Sequence, residues 1–320
     1  MRAFQVQSFD TPARLSDLPI PAPAKGQVRL KIHACGLNFA DLLMQTGRYQ
    51  DTPQVPFTAG MEVAGVVDAL GPDTEGPAIG TRVAAFGGQG GLAEYGVFDV
   101  ERAVPLPASM SFEQAAAFQI ASGTSHVALS YRADLQPNET LLVLGAAGGV
   151  GLTAVEIGKL MGARVIACAR GQDKLAIAKN AGADHLIDAT QDDLRTAVKN
   201  LGGADVVYDP VGGDQWKAAF RACNPDARLL PIGFASGEVP QIPANHMLVK
   251  NLTVMGVYWG GYLKYKPHVV TDSMAHLFAW FTQGKLSPHI SHVLPLDQTA
   301  EAMSLLKARK STGKIVITLP

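Results

Sequence analysis

Between Thr140 and Tyr258 the chain alternates short β-branched runs with longer stretches of helical periodicity. This alternation is typical of a parallel sheet, because parallel strands need long crossover connections and helices cover both faces of the sheet. Five or six strands can be recognised: LLVLG (141–145), ARVIACAR (163–170), HLIDA (185–189), ADVVYDPV (204–211), ARLLPIGF (227–234) and LTVMGVY (252–258). The segment predicts a doubly wound, Rossmann-type α/β unit.

The first of these strands runs into a glycine-rich turn, GAAGGVG (145–151), and then into an apolar-periodic helix. Small residues let the backbone approach a pyrophosphate, and the helix N-terminus supplies amide donors and positive potential. By itself a glycine cluster is equally compatible with a tight packing turn, but the surrounding strand and helix series favours dinucleotide binding. Ala146 stands where the first glycine of GxGxxG would be, so a variant turn is expected. The candidate cofactor contacts are Ala147, Gly148, Gly149 and Val150.

The end of the second strand bears on the choice of cofactor. NAD-preferring enzymes place an acidic residue there, which hydrogen-bonds the ribose hydroxyls. In this chain Ala169 takes that place, Arg170 follows it, and Lys174 lies at the start of the next helix. Two cations and no acid favour a ribose phosphate and therefore NADPH. The alternative is that both cations are ordinary solvated surface charges.

Outside the α/β segment the sequence is of a different type. Residues 1 to about 118 are rich in Gly and Pro and contain extended runs at 27–35 and 62–70, which indicates a mostly β domain. The tail after about 262 holds two helices and a final strand, too little for a core of its own, so it is expected to return to the first domain. The expected organisation is residues 1–118 completed by 262–320, with 119–261 as the α/β domain.

Composition excludes several functional classes. The 320 residues are 47% hydrophobic and carry 27 Lys and Arg against 28 Asp and Glu, without the net basic field of a nucleic-acid or membrane-surface binder. No apolar run is long enough for a signal peptide or a membrane span, which favours a cytoplasmic protein with small-molecule partners. Cys35, Cys168 and Cys223 are scattered and are expected to be free thiols.

Four segments carry a family resemblance. GLNFADLLMQTGRYQ (36–50), PFTAGMEVAGVV (56–67), GGLAEYGVF (90–98) and GAAGGVG (145–151) resemble the zinc-free branch of the medium-chain dehydrogenase/reductase superfamily, specifically the NADPH:quinone oxidoreductases. The resemblance covers essentially the whole chain. It implies a GroES-like β domain built from both termini around the Rossmann domain, a homodimer, and hydride transfer from NADPH to a quinone or another α,β-unsaturated carbonyl acceptor. Reduction of enoyl thioesters, or NADPH binding without a catalytic role, are the alternatives.

The resemblance also bears on metal. Zinc-dependent members of the superfamily have a cysteine ligand at the position matching Asn38 and a histidine ligand at the position matching Met61, and both are missing here. The structural zinc lobe needs four close cysteines, and none occurs between Cys35 and Cys168. No metal site is therefore expected. Glu62 remains next to Met61, either as a remnant of the metal surroundings or as a structural carboxylate paired with a cation.

By the same resemblance, Asn38 and Tyr49 are the expected catalytic residues. Asn38 would face the nicotinamide ribose, Tyr49 would border the cleft, and Thr124 would lie under the cofactor. The alternatives are a turn asparagine, a half-buried aromatic and a helix N-cap, in that order. Gly233 and Phe234, at the end of the fifth strand, complete the expected cofactor contacts.

One aromatic segment is compatible with more than one role. VYWGGYLKY (257–265) holds four aromatic residues where the chain is expected to leave the α/β domain. It is compatible with a wall of the substrate site, and equally with core packing or a subunit interface.

Overall fold

The computed structural model describes residues 1–320 as two compact units. The first unit comprises Met1–Ile120 and Ser287–Pro320, and the second comprises Ala121–Leu286.

The strands, in chain order, are β1 (Arg2–Val6), β2 (Arg14–Asp17), β3 (Gln27–Gly36), β4 (Phe57–Thr58), β5 (Glu62–Leu70), β6 (Arg82–Phe86), β7 (Tyr95–Asp99), β8 (Ala103–Pro105), β9 (Thr140–Leu144), β10 (Arg164–Ala169), β11 (His185–Asp188), β12 (Ala204–Asp209), β13 (Cys223–Pro231), β14 (Thr253–Val254), β15 (Ile290–Pro295) and β16 (Lys314–Thr318).

The helices are α1 (Phe39–Met44), α2 (Phe112–Ala116), α3 (Gln119–His126), α4 (Gly149–Leu160), α5 (Gln172–Asn180), α6 (Leu194–Asn200), α7 (Gly213–Ala222), α8 (Ala244–Lys250), α9 (Trp259–Tyr265), α10 (Pro267–Thr282) and α11 (Thr299–Lys307). A π-helical stretch, Val127–Arg132, continues α3, and 3-10 turns occupy Val100–Arg102 and Leu296–Gln298. No helix has both the length and the hydropathy that a membrane crossing requires.

The first unit is a mostly β domain. Its larger sheet has the strand order β15-β16-β3-β5-β6-β8, with β7 also paired to β3, and a smaller sheet has the order β2-β1-β4. In β3 burial alternates along the strand, with Val28, Leu30 and Ile32 fully buried between partly exposed neighbours. This alternation is what an antiparallel strand with one face on the core requires. The mostly β first domain is confirmed.

The second unit contains a six-stranded sheet in the order β11-β10-β9-β12-β13-β14, and every pairing in it is parallel. All residues of β9 are buried, as expected for a central strand covered on both faces. The strand order reverses between β9 and β12, which is the switch point of a Rossmann-type sheet, and ligands of such sheets bind outside the carboxyl ends of the strands there. The predicted α/β fold is confirmed.

The boundary between the units differs from the expected one at its second crossing. The sequence predicts a return to the first domain at 262, whereas α9 and α10 remain in the second unit and the return begins at Ser287. Helix α10 stays because its buried face packs on the π-helical stretch and α3, and Ser273 Oγ lies 2.8 Å from His126 Nδ1. The sequence suggests a helix there but not which core covers its apolar face.

The aromatic segment at 257–265 lies in the second unit and contributes to its packing. Trp259 and Tyr262 are buried, and a Cβ on Gly123 would approach the Trp259 indole nitrogen to 2.8 Å. The rings of Tyr131 and Tyr262 meet edge to face, with centroids 5.7 Å apart. The last strand of the sheet, β14, is shorter than the 252–258 run suggests.

Candidate cofactor and active-site residues

The glycine-rich turn joins β9 to α4 at the carboxyl edge of the parallel sheet. Gly148 is the N-cap of α4, and it has no side chain with which to cap the helix. Ala146 and Ala147 are buried beneath the turn, whereas Gly148 is exposed. The first amide groups of a helix have no carbonyl partner within it, so the start of α4 offers N–H donors and the positive end of the helix dipole.

Steric contacts explain why this turn needs small residues. Gly145 has φ +59, a conformation that costs little only for glycine. A Cβ on Gly151 would lie 2.2 Å from the Gly145 carbonyl oxygen, so helix and strand approach too closely for any side chain there. At Gly148 a Cβ would meet that same oxygen at an ordinary 3.4 Å, and its space opens outward instead. The turn therefore has the shape and the donors to hold a pyrophosphate.

The hydroxyl groups of Ser125, Thr153 and Tyr208 fix the start of α4, and those of Ser125 and Tyr208 are buried. Ser125 Oγ lies 2.9 Å from the Val150 carbonyl oxygen, 2.8 Å from Thr153 Oγ1 and 2.9 Å from the Tyr208 hydroxyl. Thr153 in turn donates to the Ala121 carbonyl oxygen at 3.0 Å. Burial raises the pKa of the Tyr208 hydroxyl, which stays protonated and able to donate. These bonds hold α3, α4 and β12 in a single arrangement around the turn.

The expected ribose-phosphate site lies at the end of β10. Ala169 is buried there, Arg170 is exposed and Lys174 is half-buried in the first turn of α5. A carboxylate stands on the neighbouring strand, because Asp188 pairs with Ala169 in the sheet register. Its oxygens accept from Gly171 N at 3.1 Å, Thr190 N at 3.0 Å and Thr190 Oγ1 at 2.7 Å. The Gly171 bond is the main reason that the pKa of Asp188 is lowered, and the carboxylate is engaged in shaping this loop.

A second strand-end carboxylate shapes the next loop. Asp209, the last residue of β12, accepts from Val211 N at 2.6 Å and from Gly212 N at 2.9 Å. Its pKa is raised, mainly by burial. Gly233 N also bonds to the Asp209 carbonyl oxygen at 3.4 Å, so the end of β13 is held beside this loop, and Phe234 is exposed next to it. Gly233 and Phe234 thus lie at the carboxyl edge of the sheet, where the sequence predicts cofactor contacts.

In the first unit, Asn38 lies between β3 and α1 and is the N-cap of that helix. Its backbone N–H donates to Asp41 Oδ2 at 2.8 Å. Its side chain amide donates to Glu62 Oε1 at 2.9 Å and to the Gly36 carbonyl oxygen at 3.3 Å. Asn38 is thus both a cap residue and part of a polar network, and its side chain is only half-buried.

The centre of that network is an ion pair between Lys314 and Glu62. Lys314 Nζ lies 2.7 Å from Glu62 Oε1, and the two side chains are 5% and 0% exposed. Glu62 Oε2 accepts from Ile120 N at 2.9 Å. Of the two interpretations of Glu62, the structure supports a carboxylate paired with a cation, and the cation comes from the first residue of β16.

Two further buried titratable groups border the ion pair. Burial raises the pKa of Asp41 to about 7, and the Asp41 Oδ1 atom is buried without a hydrogen-bond partner. The Cys35 thiol is fully buried, and its pKa is raised by the loss of solvent and by the nearby Asp41 carboxylate. The Cys35 thiol therefore favours its neutral form, and Asp41 changes its charge near neutral pH.

The other residues singled out by the sequence are Tyr49, Thr124 and the three cysteines. Tyr49 is half-buried and packs against the core of the first unit. Thr124 lies within α3, so it is a helix-interior residue and not an N-cap. The three cysteines are free and buried.

The geometry of the first unit does not fit a metal. No group of three or more His, Cys, Asp or Glu side chains lies close enough together to hold an ion. Met61 is buried, and the carboxylate beside it already has an ammonium counter-ion. A zinc ion needs three or four N, S or O ligands at close range, so no chemical step is assigned to one here.

Several residues of these sites escape prediction from the sequence. Lys314 begins the otherwise apolar run KIVIT, and a lone charge at the start of a buried strand is the signal available. Asp188 and Asp209 end apolar strand runs, where acidic residues commonly hold the following turn. Ser125 and Tyr208 give no signal, because a hydroxyl group inside a helix or strand pattern is unremarkable.

Comparison with known proteins agrees with this architecture. The family model "Alcohol dehydrogenase GroES-like domain" matches residues 24–108, and "Zinc-binding dehydrogenase" matches residues 149–278. Quinone oxidoreductase-like protein 2 homolog from Nematostella vectensis is 42% identical over 297 residues, covering 91% of this chain and 81% of that protein. The human synaptic vesicle membrane protein VAT-1 homolog is 31% identical, covering 93% of this chain and 80% of that protein.

Among solved structures, the quinone oxidoreductase from Thermus thermophilus, described with its NADPH complex, superposes with a TM-score of 0.88 at 33% identity over the whole of both chains. The agreement therefore extends over both units and not only the glycine-rich turn. By this full-length similarity, the chain belongs to the quinone oxidoreductase-like family of the medium-chain dehydrogenase/reductase superfamily.

Proposed function

We propose that this protein is an NADPH-dependent oxidoreductase that delivers a hydride to a quinone or another α,β-unsaturated carbonyl compound without a zinc ion. The observation that carries the proposal is the turn between β9 and α4, where a Cβ on Gly151 would lie 2.2 Å from a carbonyl oxygen while the Gly148 position opens outward. NADPH, when bound, supplies the hydride.

Residues of the second unit would bind the cofactor. The backbone of Ala147, Gly148, Gly149 and Val150 would hold the pyrophosphate, with Thr124, Gly233 and Phe234 as further contacts. Arg170 and Lys174 would pair with the ribose phosphate, and buried Ala169 leaves no acidic side chain at the end of β10. The Asp188 carboxylate does not replace that acid, because its contacts to Gly171 and Thr190 engage it in the loop.

The acceptor class follows from the chemistry that this site lacks. An alcohol or a simple carbonyl needs a Lewis acid to stabilise the developing oxyanion, and the residues at 38, 61 and 62 do not fit a metal. Quinones and enones delocalise the arriving charge themselves. The task of Asn38 and Tyr49 is then to orient the reactants and to exclude water.

Turnover across an acceptor panel tests the proposal. We expect NADPH oxidation with quinones or short enones and no NADP-dependent oxidation of ethanol. Preferred turnover of 2-enoyl-CoA would favour the enoyl-thioester alternative. Tight NADPH binding with no turnover of any acceptor would favour a non-catalytic NADPH-binding protein instead.

Metal analysis tests the zinc-independent part separately. We expect no stoichiometric zinc in the purified protein and unchanged activity in a strong chelator. One tightly bound zinc per chain would contradict this part. Asn38 and Met61 stand at two of the ligand positions, so the expected result is no zinc.

A homodimer is also part of the proposal. Strand β14 ends the order of the parallel sheet, so one of its edges is open to pairing. Leu248 and Val249, just before it, are 76% and 72% exposed. Open strand edges and exposed apolar side chains are features that a two-fold interface would cover. Analytical ultracentrifugation showing a monomer at micromolar concentration would contradict it.

A further inference from the structure

The Lys314 ammonium is saturated by the protein itself. Its three N–H donors face three oxygens, each 2.7 Å away: the Leu37 carbonyl oxygen, Asn38 Oδ1 and Glu62 Oε1. The side chain is buried, so no solvent or ligand reaches the ammonium. Any influence of Lys314 on the chemistry therefore acts through the groups that it contacts.

The ion pair determines the orientation of the Asn38 carboxamide. Its oxygen faces the Lys314 ammonium, and its NH2 group faces the Glu62 carboxylate. Rotating the carboxamide by half a turn would place NH2 against an ammonium and an oxygen against a carboxylate. Both contacts would then be repulsive, in surroundings where screening is weak. The cation and the anion together fix one orientation.

This orientation limits what Asn38 can offer a ligand. Both of its N–H donors are engaged, one with Glu62 and the other with the Gly36 carbonyl oxygen. The carboxamide oxygen accepts two hydrogen bonds, and Lys314 supplies only one of them. Since the side chain is half-exposed, one acceptor position is left for a ligand and no donor.

We propose that Lys314 is a positioning residue that holds Asn38 as a hydrogen-bond acceptor for a hydroxyl of the cofactor ribose. Asn38 then does not donate to the oxygen of the quinone or enone, and it does not stabilise the negative charge that develops there. This inference rests on the proposed hydride transfer from NADPH. It adds which atom of Asn38 is offered to that ribose and which residue fixes the orientation of the carboxamide.

A role in closing the sheet does not by itself account for the ion pair. Taking two charges out of water costs several kcal/mol per ion, by order of magnitude, and well-packed apolar residues often replace such pairs without loss of stability. The other titratable groups around the pair are the Asp41 carboxyl and the Cys35 thiol, and burial raises the pKa of each, whereas the Glu62 carboxylate lies 2.7 Å from the ammonium. Glu62 is thus the anion that matches the ammonium.

The test compares Lys314→Met with the double variant Lys314→Met/Glu62→Gln. In Lys314→Met we expect NADPH affinity, measured by fluorescence titration, to fall about tenfold, the value of one good hydrogen bond. We expect kcat to fall roughly tenfold to a hundredfold, because reactants are misoriented. The KM for the acceptor stays unchanged, since Asn38 does not touch the acceptor.

A measurement of stability, independent of activity, separates the loss of Asn38 orientation from the cost of burying an unpaired Glu62 carboxylate. In Lys314→Met, Glu62 becomes a buried carboxylate without its counter-ion. The thermal midpoint should therefore fall more steeply with rising pH than it does in the wild type, whose own fall comes from Asp41. The double variant removes that carboxylate and restores the wild-type pH profile, but NADPH affinity stays low because the donor to Asn38 Oδ1 is still missing. Lys310→Met, at an exposed lysine of the same terminal segment, is the matched control.

Three results would overturn the proposal. A folded Lys314→Met with wild-type NADPH affinity and kcat would reduce Lys314 to a structural role. A raised acceptor KM with unchanged NADPH affinity would place Asn38 on the acceptor instead. If Lys314→Met does not fold, Asn38→Ala must reproduce the loss of NADPH affinity, and wild-type affinity in that variant would refute the role. A wild-type protein that does not bind NADPH at all would instead refute the proposed function.

Discussion

The two candidate sites of this molecule use different chemical groups: backbone amides in the second unit, and polar side chains in the first. In the second unit, a turn of seven consecutive residues presents backbone amides, and its shape depends on the absence of side chains at Gly145 and Gly151. In the first unit, the network around Glu62 consists of charged and polar side chains, and its members Asn38 and Lys314 are 276 residues apart in the chain. The first kind of site is most sensitive to an added atom, and the second kind is most sensitive to a change of charge.

The largest expected effect comes from changing a charge in the first unit. The pKa of Asp41 is about 7 in the folded chain, raised by burial, against about 3.9 in an unfolded one. A folded-state pKa above the unfolded value means that stability is highest at low pH and falls as pH rises from about 4 to about 7. Asp41→Asn should abolish this fall and stabilise the protein above pH 7, by up to roughly 4 kcal/mol.

Thermal midpoints measured between pH 4 and pH 9 check this expectation. The matched control is Asp10→Asn, at an exposed carboxylate of the same unit, which should keep the wild-type pH profile. An Asp41→Asn profile parallel to that of the wild type would mean that Asp41 does not titrate in this range.

The second effect comes from adding an atom to the turn. Gly151→Ala forces a Cβ to within 2.2 Å of the Gly145 carbonyl oxygen, so the turn must deform. We expect a stability loss of about 3 kcal/mol and a roughly hundredfold weaker affinity for NADPH, measured by denaturant unfolding and by fluorescence titration.

Gly148→Ala separates folding from binding in that turn. Its Cβ would meet the protein at 3.4 Å, so stability should change little, whereas a pyrophosphate lying against the backbone would be obstructed. Wild-type NADPH affinity in Gly148→Ala would show that no ligand approaches the backbone at this residue.

The smallest effect concerns the two cationic side chains that are expected to bind the ribose phosphate. Removing Arg170 or Lys174 should raise the KM for NADPH about tenfold each and leave the KM for NADH nearly unchanged. The effect should shrink with added salt, because Arg170 is exposed. Lys199→Ala, an exposed lysine on α6, serves as the control. Equal NADPH KM values in the wild type and the Arg170→Ala/Lys174→Ala variant would place the phosphate elsewhere.

This difference between a contiguous backbone turn and a network of distant side chains also explains what could be predicted from the sequence. The turn at 145–151 is recognisable because it is contiguous and lies between a strand and a helix, and the parallel sheet follows from its apolar runs. The role of Asn38 at the start of α1 is available only through the family resemblance. Its partner Lys314 stands out as a lone charge at the start of an apolar strand, but the sequence gives no local sign of which carboxylate it meets.

For a related reason, the sequence predicts the end of the second unit at 261, before the observed end at Leu286. Periodicity identifies an amphipathic helix near 271–283 but does not indicate which core covers its apolar face. The bond between His126 and Ser273 joins residues 147 positions apart, and no local pattern announces it. Contacts at long sequence separation define both the helix position and the ion pair.

The place of Lys314 near the end of the chain has a consequence for biosynthesis. Glu62 meets a lysine 252 residues later, and β16 lies inside the larger sheet of the first unit, between β15 and β3. On the ribosome, the second unit can close once its last residue has emerged. The amino-terminal segment must wait for β16, with Ala34–Gly36 of β3 lacking that strand and Glu62 lacking its counter-ion. At roughly 5–20 residues per second the wait lasts on the order of ten to forty seconds. The half of the molecule that is made first is therefore the half that is finished last.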